Sequence, residues 1–217
     1  MIPRIIHQVY GVFDDDVKLE DISIFHQQVS KTKEFCTHHE ISYKMWNSKM
    51  CSELVNKYPQ YRLLYDNFKQ PIMKADFIRY LIMYDEGGLY VDCDIAPIND
   101  IDELLTNDEF FVVWNNDKKK LPYNAVLGSI PKTKLYEDIL THLEESYYEK
   151  LANPIYETWV GRFVFQTTGH FMLNRVLKKH KYVMKFDILK IHNKTGEIIS
   201  GDHPIFEDFN ISSWYGK

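Results

Sequence analysis

Hydrophobic and polar positions alternate along this chain with two periods, which predicts strands and helices in turn. Short apolar runs rich in Ile, Val and Tyr are typical of strands, and longer stretches with an apolar residue every third or fourth position are typical of helices. The first predicted elements are a strand over 4–10, a helix over 22–38, a strand over 42–46 and a helix over 48–58 with Ser48 as N-cap. This order of elements indicates an α/β protein.

The later elements follow the same periods. They are a short helix over 61–68, a helix that begins near Pro71, a short helical turn over 101–105, strands over 110–114 and 123–130, helices over 134–151 and 171–180, and strands over 182–186 and 189–191. The last two strands are predicted to close the sheet.

An acidic and a basic residue interrupt the apolar pattern of the helix near Pro71. At about 100° per residue, Asp76 and Arg79 lie one turn apart on a broad apolar face. The apolar residues of that face are Ile72, Ala75, Ile82 and Met83. Two interpretations remain open at this point: a structural ion pair at i,i+3, or charged side chains kept for a functional site.

The helix is followed by a glycine pair, a short apolar strand and two aspartates. Gly87 and Gly88 suit a left-handed helix end, and 89–91 has strand propensity. Asp92 and Asp94 come at the end of that strand, and both side chains point to the same side because side chains alternate with a period of two. Two carboxylates at the carboxyl end of a strand suit Mn²⁺ or Mg²⁺ with oxygen ligands. A solvated turn is the alternative for such an acidic triplet.

Composition limits the classes of function. The chain has 217 residues, of which 45% are hydrophobic, and it has no Pro/Gly/Ser-rich linker, so one domain over 1–217 is expected. A net charge of −5 with mixed signs gives no reason to expect nucleic acid as a partner. Three scattered cysteines favour a reducing compartment. Without a signal-peptide pattern or an apolar run of about 18 residues, we expect no transmembrane segment and a cytoplasmic location.

Four short motifs together resemble a known family. They are IPRIIHQ at the start of the chain, KAD at 74–76, RY at 79–80 and GGLYVDCD at 87–94. This set resembles the DXD-containing sugar transferases of glycosyltransferase family 32. That group includes fungal initiating mannosyltransferases, bacterial capsular-polysaccharide enzymes and viral glycosyltransferases, and its core is similar to the glucosylating domains of clostridial toxins.

The resemblance implies a fold and an activity. The implied fold is of GT-A type, with a Rossmann-like mixed central sheet flanked by helices in a single compact domain. The implied reaction moves a sugar from a nucleotide-sugar to a glycan or other hydroxyl acceptor, with Mn²⁺ or Mg²⁺ and with retention of anomeric configuration. The toxin-like branch favours a UDP-sugar, and the fungal branch favours GDP-mannose.

Roles for the central residues follow from that reaction. A cation held by Asp94, and by Asp92 directly or through water, would bridge the diphosphate. Arg79 would add positive charge near the leaving group or the sugar. The resemblance further implies that Asp76 holds hydroxyls of the donor sugar.

Residues outside the central stretch complete the predicted site. Tyr10, after the first strand, is a candidate to stack on the base, with a core aromatic as the alternative. Asn124 offers amide donors and an acceptor to sugar or leaving-group oxygens, with a turn residue as the alternative. In the tail, Trp214 would cover the diphosphate, while Ser212, Ser213 or Asp208 would add an oxygen ligand to the metal. The alternative for the tail is an aromatic segment pinned on the surface.

Two other functions compete with sugar transfer. The run YVDCDI also resembles the nucleophile strand of haloacid-dehalogenase-like phosphohydrolases, in which the first aspartate is phosphorylated. That motif usually lies on the first strand, whereas here it lies mid-chain. The second competitor is a catalytically silent module that binds a nucleotide-sugar. Cleavage of a nucleotide-sugar donor distinguishes both from a transferase.

Overall fold

The protein is described by a computed structural model over residues 1–12, 19, 23–106, 109–114, 121–153, 155, 160–180, 184–186, 189–192, 198–200 and 203–209. The strands in these ranges are β1 (Ile5–Val9), β2 (Ser42–Trp46), β3 (Gly88–Val91), β4 (Ile95–Pro97), β5 (Phe110–Trp114), β6 (Pro122–Ser129), β7 (Met184–Phe186), β8 (Leu189–His192), β9 (Ile198–Ser200) and β10 (Phe206–Asp208). The α-helices are α1 (Ser23–His38), α2 (Ser48–Asn56), α3 (Arg62–Asp66), α4 (Pro71–Asp85), α5 (Asp102–Leu105), α6 (Lys134–Leu151), α7 (Val160–Thr167) and α8 (His170–Leu177), and Pro59–Tyr61 is a 3₁₀ turn.

The larger sheet is mixed and has the strand order β2-β1-β3-β6-β5-β7. Strand β1 runs parallel to β2 and β3, whereas β6 runs antiparallel to both β3 and β5. The carboxyl ends of β1, β2 and β3 and the amino end of β6 therefore meet at one edge of the sheet. The predicted mixed α/β fold in a single compact domain is confirmed.

A second, smaller sheet has the order β4-β10-β8-β9. Strand β10 pairs antiparallel with β4, with Asp208 opposite Ile95, and parallel with β8. The prediction that 189–191 closes the main sheet is wrong, because β8 belongs to this smaller sheet. The pairing brings Asp208 next to the strand that follows Asp94.

Two apolar cores lie on opposite faces of the larger sheet. Along β3, Tyr90 belongs to one core, while Leu89 and Val91 belong to the other, as the two-residue period of a strand requires. The first core contains most of the buried apolar residues of α4 and α6, and the second receives Phe206 of β10. The smaller sheet is thus anchored through the second core.

Helix α4 is the central helix of the first core. Pro71 stands at its first turn, where the missing N–H costs nothing, and its residues from Ala75 to Met83 are all buried. The sequence predicts one apolar face, but the helix is buried all round because it packs against α2, α6, β3 and β6. Gly87 ends it with φ +69°, and its N–H donates to Met83 O at 3.2 Å.

Gly88 sits where no side chain fits. Its φ is +85°, and an added Cβ would lie 2.5 Å from Ile5 Cγ2 and 2.8 Å from Ile5 O. The predicted left-handed conformation of both glycines is confirmed, and at Gly88 close packing of β3 against β1 adds a second requirement for glycine.

Several predicted helix boundaries differ from the structure. Helix α2 is capped by the Asn47 side chain, which accepts from the Met50 N–H at 3.0 Å, so the prediction of Ser48 as N-cap is wrong. The helix predicted over 61–68 is split into the 3₁₀ turn and α3, and α7 was not predicted. Among the described residues, no helix has the length and apolar character needed to cross a membrane.

Candidate active site

The two predicted metal-binding aspartates lie in a turn at the common edge of β1, β3 and β6. Strand β3 ends at Val91, and the Asp92 N–H still donates to Ala125 O of β6 at 2.9 Å. The chain then turns, because the Ile95 N–H donates to Asp92 O at 3.0 Å. The alternation argument for Asp92 and Asp94 was therefore wrong, since Asp94 lies in a turn and not on the strand.

Asp92 is held in one orientation by its neighbours. Its Oδ1 accepts from the Tyr90 hydroxyl at 2.6 Å, and its Oδ2 accepts from Arg79 Nη1 at 3.2 Å. The backbone is also tied, because Gln8 Nε2 donates to Asp92 O at 3.2 Å. With 28% of its side chain exposed, Asp92 is both fixed and accessible to a ligand.

Arg79 links three parts of the chain from a buried position. Besides Asp92, its guanidinium contacts Asp76 Oδ1 at 3.2 Å through Nη2 and donates to Asn124 O at 2.8 Å through Nη1. Its Cζ lies 5.0 Å from the centre of the Tyr90 ring. Burial alone would lower the pKa of Arg79, but the acidic groups of Asp92, Tyr90 and Asp76 raise it above its usual value.

Asp76 is buried with a hydrogen-bond donor at each oxygen. Its Oδ1 accepts from Asn124 Nδ2 at 3.1 Å, and its Oδ2 accepts from the Thr168 hydroxyl at 2.7 Å. Burial raises the pKa of Asp76, and this rise is opposed by Arg79 and by the hydrogen bond from Thr168. The i,i+3 ion pair considered from the sequence does form, but Asn124, Thr168 and Asp92 extend it into a network.

A second group of acidic side chains surrounds Tyr123, beside this network. The Tyr123 hydroxyl donates to Asp208 Oδ2, and the Phe209 N–H donates to Asp94 O at 3.2 Å. Burial raises the pKa of Tyr123, and the carboxylates of Asp208, Asp94 and Asp92 raise it further. Pairing of β10 with β4 thus brings Asp208 to the same edge as the two aspartates of the turn.

The carboxylate oxygens at this edge suit a hard divalent cation only in part. Asp94 offers a partly exposed carboxylate. Asp208 is completely buried and its Oδ2 accepts from Tyr123, so Asp208 and Asp92 offer only the lone pairs that their hydrogen bonds leave unused. Within the described ranges, no group of three or more His, Cys, Asp or Glu residues is arranged to hold a metal ion. A pair of carboxylates is nevertheless sufficient for Mg²⁺ or Mn²⁺ when substrate phosphates supply further ligands.

Of the other predicted residues, some lie at this sheet edge and some lie outside the described part of the chain. Tyr10 follows β1 at the same sheet edge, half-buried, with its ring edge-on to Phe25 at 6.2 Å. Asn124 is the third residue of β6, and its side-chain amide donates a hydrogen bond to Asp76. Ser212, Ser213 and Trp214 lie outside the described residues, so their roles stay predictions.

Sequence reasoning missed three tyrosine and threonine hydroxyls that hold the carboxylates. They belong to Tyr90, Tyr123 and Thr168. Tyr90 lies two residues before Asp92 on the same strand face, which is a signal that the sequence does contain. The other two come from strand and helix ends far along the chain.

Comparison with known proteins matches part of the chain to a sequence family. Residues 20–111, which include α4 and both aspartates of the turn, match the family described as a glycosyltransferase sugar-binding region containing a DXD motif. Residues 20–111 are thus similar to a DXD glycosyltransferase sugar-binding region. The resemblance inferred from the four motifs is thereby confirmed.

Curated relatives match over much of this chain but over less of their own length. The mannosyl phosphorylinositol ceramide synthase SUR1 of Saccharomyces cerevisiae is 31% identical over 185 residues, which cover 83% of this chain and 43% of the yeast protein. A glycosyltransferase of Acanthamoeba polyphaga mimivirus, described as uncharacterized, is 29% identical over 148 residues, 66% of this chain and 56% of its own. The chain thus spans about half the length of these relatives.

A solved structure has the same fold. The PaToxG glycosyltransferase aligns with a TM-score of 0.56 over 82% of this chain and 69% of its own, at 13% sequence identity. At this identity the match shows the fold alone. It agrees with the GT-A-type architecture expected for the DXD sugar-binding region.

Proposed function

We propose that this protein is a metal-dependent glycosyltransferase that moves a hexosyl group from a nucleotide-sugar to a hydroxyl acceptor. The observation that carries the proposal is the network of Asp76, Arg79 and Asp92 at the edge where the first three strands end, with Asp94 and Asp208 beside it. Open α/β sheets bind ligands at this edge.

The chain's own residues prepare this edge for a polar ligand. Arg79 places a permanent positive charge between two carboxylates, and Tyr90 fixes the orientation of Asp92. Because these contacts exist before any ligand binds, the site need not reorganise when charge develops on a departing diphosphate. Asp92 is the partly exposed member, so we assign it the direct contact with the donor, and Asp76 and Arg79 hold it in place.

The proposed cation is Mn²⁺ or Mg²⁺. The residues that would hold it are Asp94 and Asp208, with Asp92 directly or through water. When bound, it supplies a Lewis acid for the diphosphate leaving group. Tyr123 keeps the Asp208 carboxylate at this position through its hydroxyl.

The donor and acceptor are proposed from the relatives. A yeast relative is named as a mannosyl phosphorylinositol ceramide synthase. This name supports a mannosyl donor, for which GDP-mannose is the first compound to test, alongside the UDP-sugars that the sequence favoured. A hydroxyl of a phosphorylinositol-bearing lipid is the first acceptor to test.

Retention of anomeric configuration is the proposed stereochemical outcome. An inverting enzyme needs a carboxylate that can take the proton of the acceptor. Asp76 and Asp92 are poorly suited to this role because both are paired with Arg79. The ion pair with Arg79 also makes the Asp92 carboxylate a weaker nucleophile, which argues against a phosphohydrolase in which Asp92 is phosphorylated.

Donor cleavage with and without metal tests the proposal. The purified protein is incubated with GDP-mannose, UDP-glucose, UDP-galactose and a dTDP-sugar, with Mn²⁺ or with a chelator, and nucleotide release is measured. We expect slow cleavage of one donor in Mn²⁺, faster with an acceptor, and none with the chelator. Asp94→Ala is expected to lower kcat/KM at least 100-fold, about 3 kcal/mol of transition-state stabilisation.

Asp66→Ala is the matched control, because Asp66 is an exposed aspartate on the surface of α3 that pairs with the neighbouring Arg62. It should leave cleavage unchanged, and both variants should keep the wild-type melting temperature. Full activity of Asp94→Ala would contradict the proposal. Binding without cleavage would indicate a silent module, and phosphate release from p-nitrophenyl phosphate would indicate a phosphohydrolase.

A further inference from the structure

Thr168 lies in the turn between α7 and α8 and is completely buried. The N–H groups of Thr168 and Gly169 both donate to Val164 O, at 2.9 and 3.0 Å, which closes the end of α7. The chain then starts α8 at His170. Thr168 is therefore fixed by its backbone in a tight reversal between two helices.

Both polar ends of Thr168 contact the central helix α4. Its hydroxyl donates to Asp76 Oδ2 at 2.7 Å, and its carbonyl accepts from the Tyr80 hydroxyl at 3.1 Å. Asp76 and Tyr80 are four residues apart on α4 and so lie on the same helix face. The turn is thus fastened to α4 at two points one helical turn apart.

The hydroxyl of Thr168 is well placed to decide the position of the Asp76 carboxylate. Oδ1 of Asp76 accepts from Asn124 and contacts Arg79, whereas Oδ2 receives the hydroxyl of Thr168. A buried carboxylate oxygen that loses its donor is strongly disfavoured. Asp76 would then rotate or take up a proton, and Arg79 would lose a fixed partner opposite Asp92.

We propose that Thr168 is a positioning residue of the donor site: its hydroxyl fixes Asp76, which in turn fixes Arg79 against Asp92. The inference rests on the proposed transferase function. Thr168 acts through Asp76 and touches no substrate itself. It makes the α7–α8 turn, which lies outside the region 20–111 that matches the family, a working part of the site.

Thr167, the last residue of α7, provides a control next to the turn. It is also completely buried, but its hydroxyl donates to Phe163 O of its own helix at 2.7 Å. Removing the Thr167 hydroxyl therefore costs a comparable buried hydrogen bond without affecting Asp76. Any effect on activity that Thr168→Val shows and Thr167→Val does not show is due to the contact with α4.

The experiment compares Thr168→Val, Thr168→Ser and Thr167→Val in the full chain. The measured quantities are kcat/KM for cleavage of GDP-mannose in Mn²⁺, or of UDP-glucose if the wild type cleaves that donor instead, and the melting temperature. We expect Thr168→Val to lower kcat/KM about 10- to 100-fold, and Thr168→Ser and Thr167→Val to stay within threefold of wild type. Should Thr168→Val fail to fold, Thr168→Cys replaces it, because a thiol donates weakly and fills nearly the same space.

Three results would overturn the inference, and they are distinguishable. If the wild type is active and the two valine variants lose equal activity, Thr168 has a structural role only. If Thr168→Ser is as impaired as Thr168→Val, the hydroxyl is not the group that matters. If the wild type cleaves no donor in the panel, the proposed function fails, and the positioning role fails with it.

Discussion

Replacing Arg79 with methionine tests the central network directly. The change removes the guanidinium group and keeps a long side chain, so the carboxylate of Asp76 stays buried without its counter-ion. Arg79 and Asp76 have only 5% and 6% of their side chains exposed. Removing one member of such a buried pair typically costs about 3–5 kcal/mol, because an uncompensated charge is left behind. In a domain of this size, each kcal/mol shifts the melting temperature by about 2–4 °C.

The loss should depend on pH in a defined direction. Burial already raises the pKa of Asp76, and Arg79 opposes that rise, so its removal raises the pKa further. An acid whose folded pKa lies above its unfolded pKa stabilises the fold at low pH and loses this contribution as pH rises through the folded pKa. The difference in the free energy of unfolding between wild type and Arg79→Met should therefore be largest near pH 7.5 and become smaller towards pH 4.5.

The assay is urea denaturation at several pH values, with Arg62→Met as the control. Arg62 also pairs with an aspartate, Asp66, but both side chains are well exposed at 39% and 49%. Such surface pairs contribute about 0–1 kcal/mol. Adding Asp76→Asn to Arg79→Met removes the buried charge and should recover part of the loss. The reasoning is refuted if Arg79→Met costs no more than Arg62→Met, or if its cost does not change with pH.

Two further predictions concern stability away from the donor site. Gly88→Ala should cost about 3 kcal/mol or more and give mostly insoluble protein, because the new Cβ would collide with Ile5 and the backbone has a φ of +85°. Gly11→Ala should cost only about 1 kcal/mol, because Gly11 has a similar φ of +79° but no atom lies within 4 Å of the added Cβ. Equal solubility and equal melting temperatures for the two variants would contradict this. Burial raises the pKa of Asp85, but hydrogen bonds from Lys132, Tyr58 and Lys57 outweigh it and lower the pKa to about 2. A carboxylate whose pKa is lowered in the folded state stabilises the fold at pH values above its ordinary pKa, and this stabilisation is lost as pH falls. In urea denaturation, Asp85→Asn should therefore be less stable than wild type at pH 7, and the two proteins should become similar in stability below pH 4. A constant difference across that range would show that the charge of Asp85 is not involved.

The parts of the structure that the sequence predicted are those with local signals. Helix α4 begins at a proline and ends at a glycine pair, and β3 follows as an uninterrupted apolar run. In this stretch the local conformational preferences of the residues agree with the structure that tertiary packing requires. The helix, the strand and the sheet edge at which the strand ends could therefore be inferred from the sequence. The same stretch also held the central site residues, which is why Asp76, Arg79 and Asp92 were found together.

The parts that could not be predicted depend on distant contacts. Strands β4, β9 and β10 have three residues each, too few to show a period, and they exist because they pair with one another or with β8. The N-cap at Asn47 in place of Ser48 was a choice between adjacent residues that both suit a cap. The Thr168 contact joins residues separated by 92 positions, for which a single sequence carries no signal.

That 92-residue separation has a consequence for how the protein is made. A ribosome adds about 5–20 residues per second, so Asp76 waits several seconds for the turn that will hold it. During this interval Asp76 Oδ2 lacks its hydroxyl donor, and the apolar residues of α6 that pack against α7 and α8 stay exposed. A product truncated before Thr168 should aggregate and not persist as a partly active fragment.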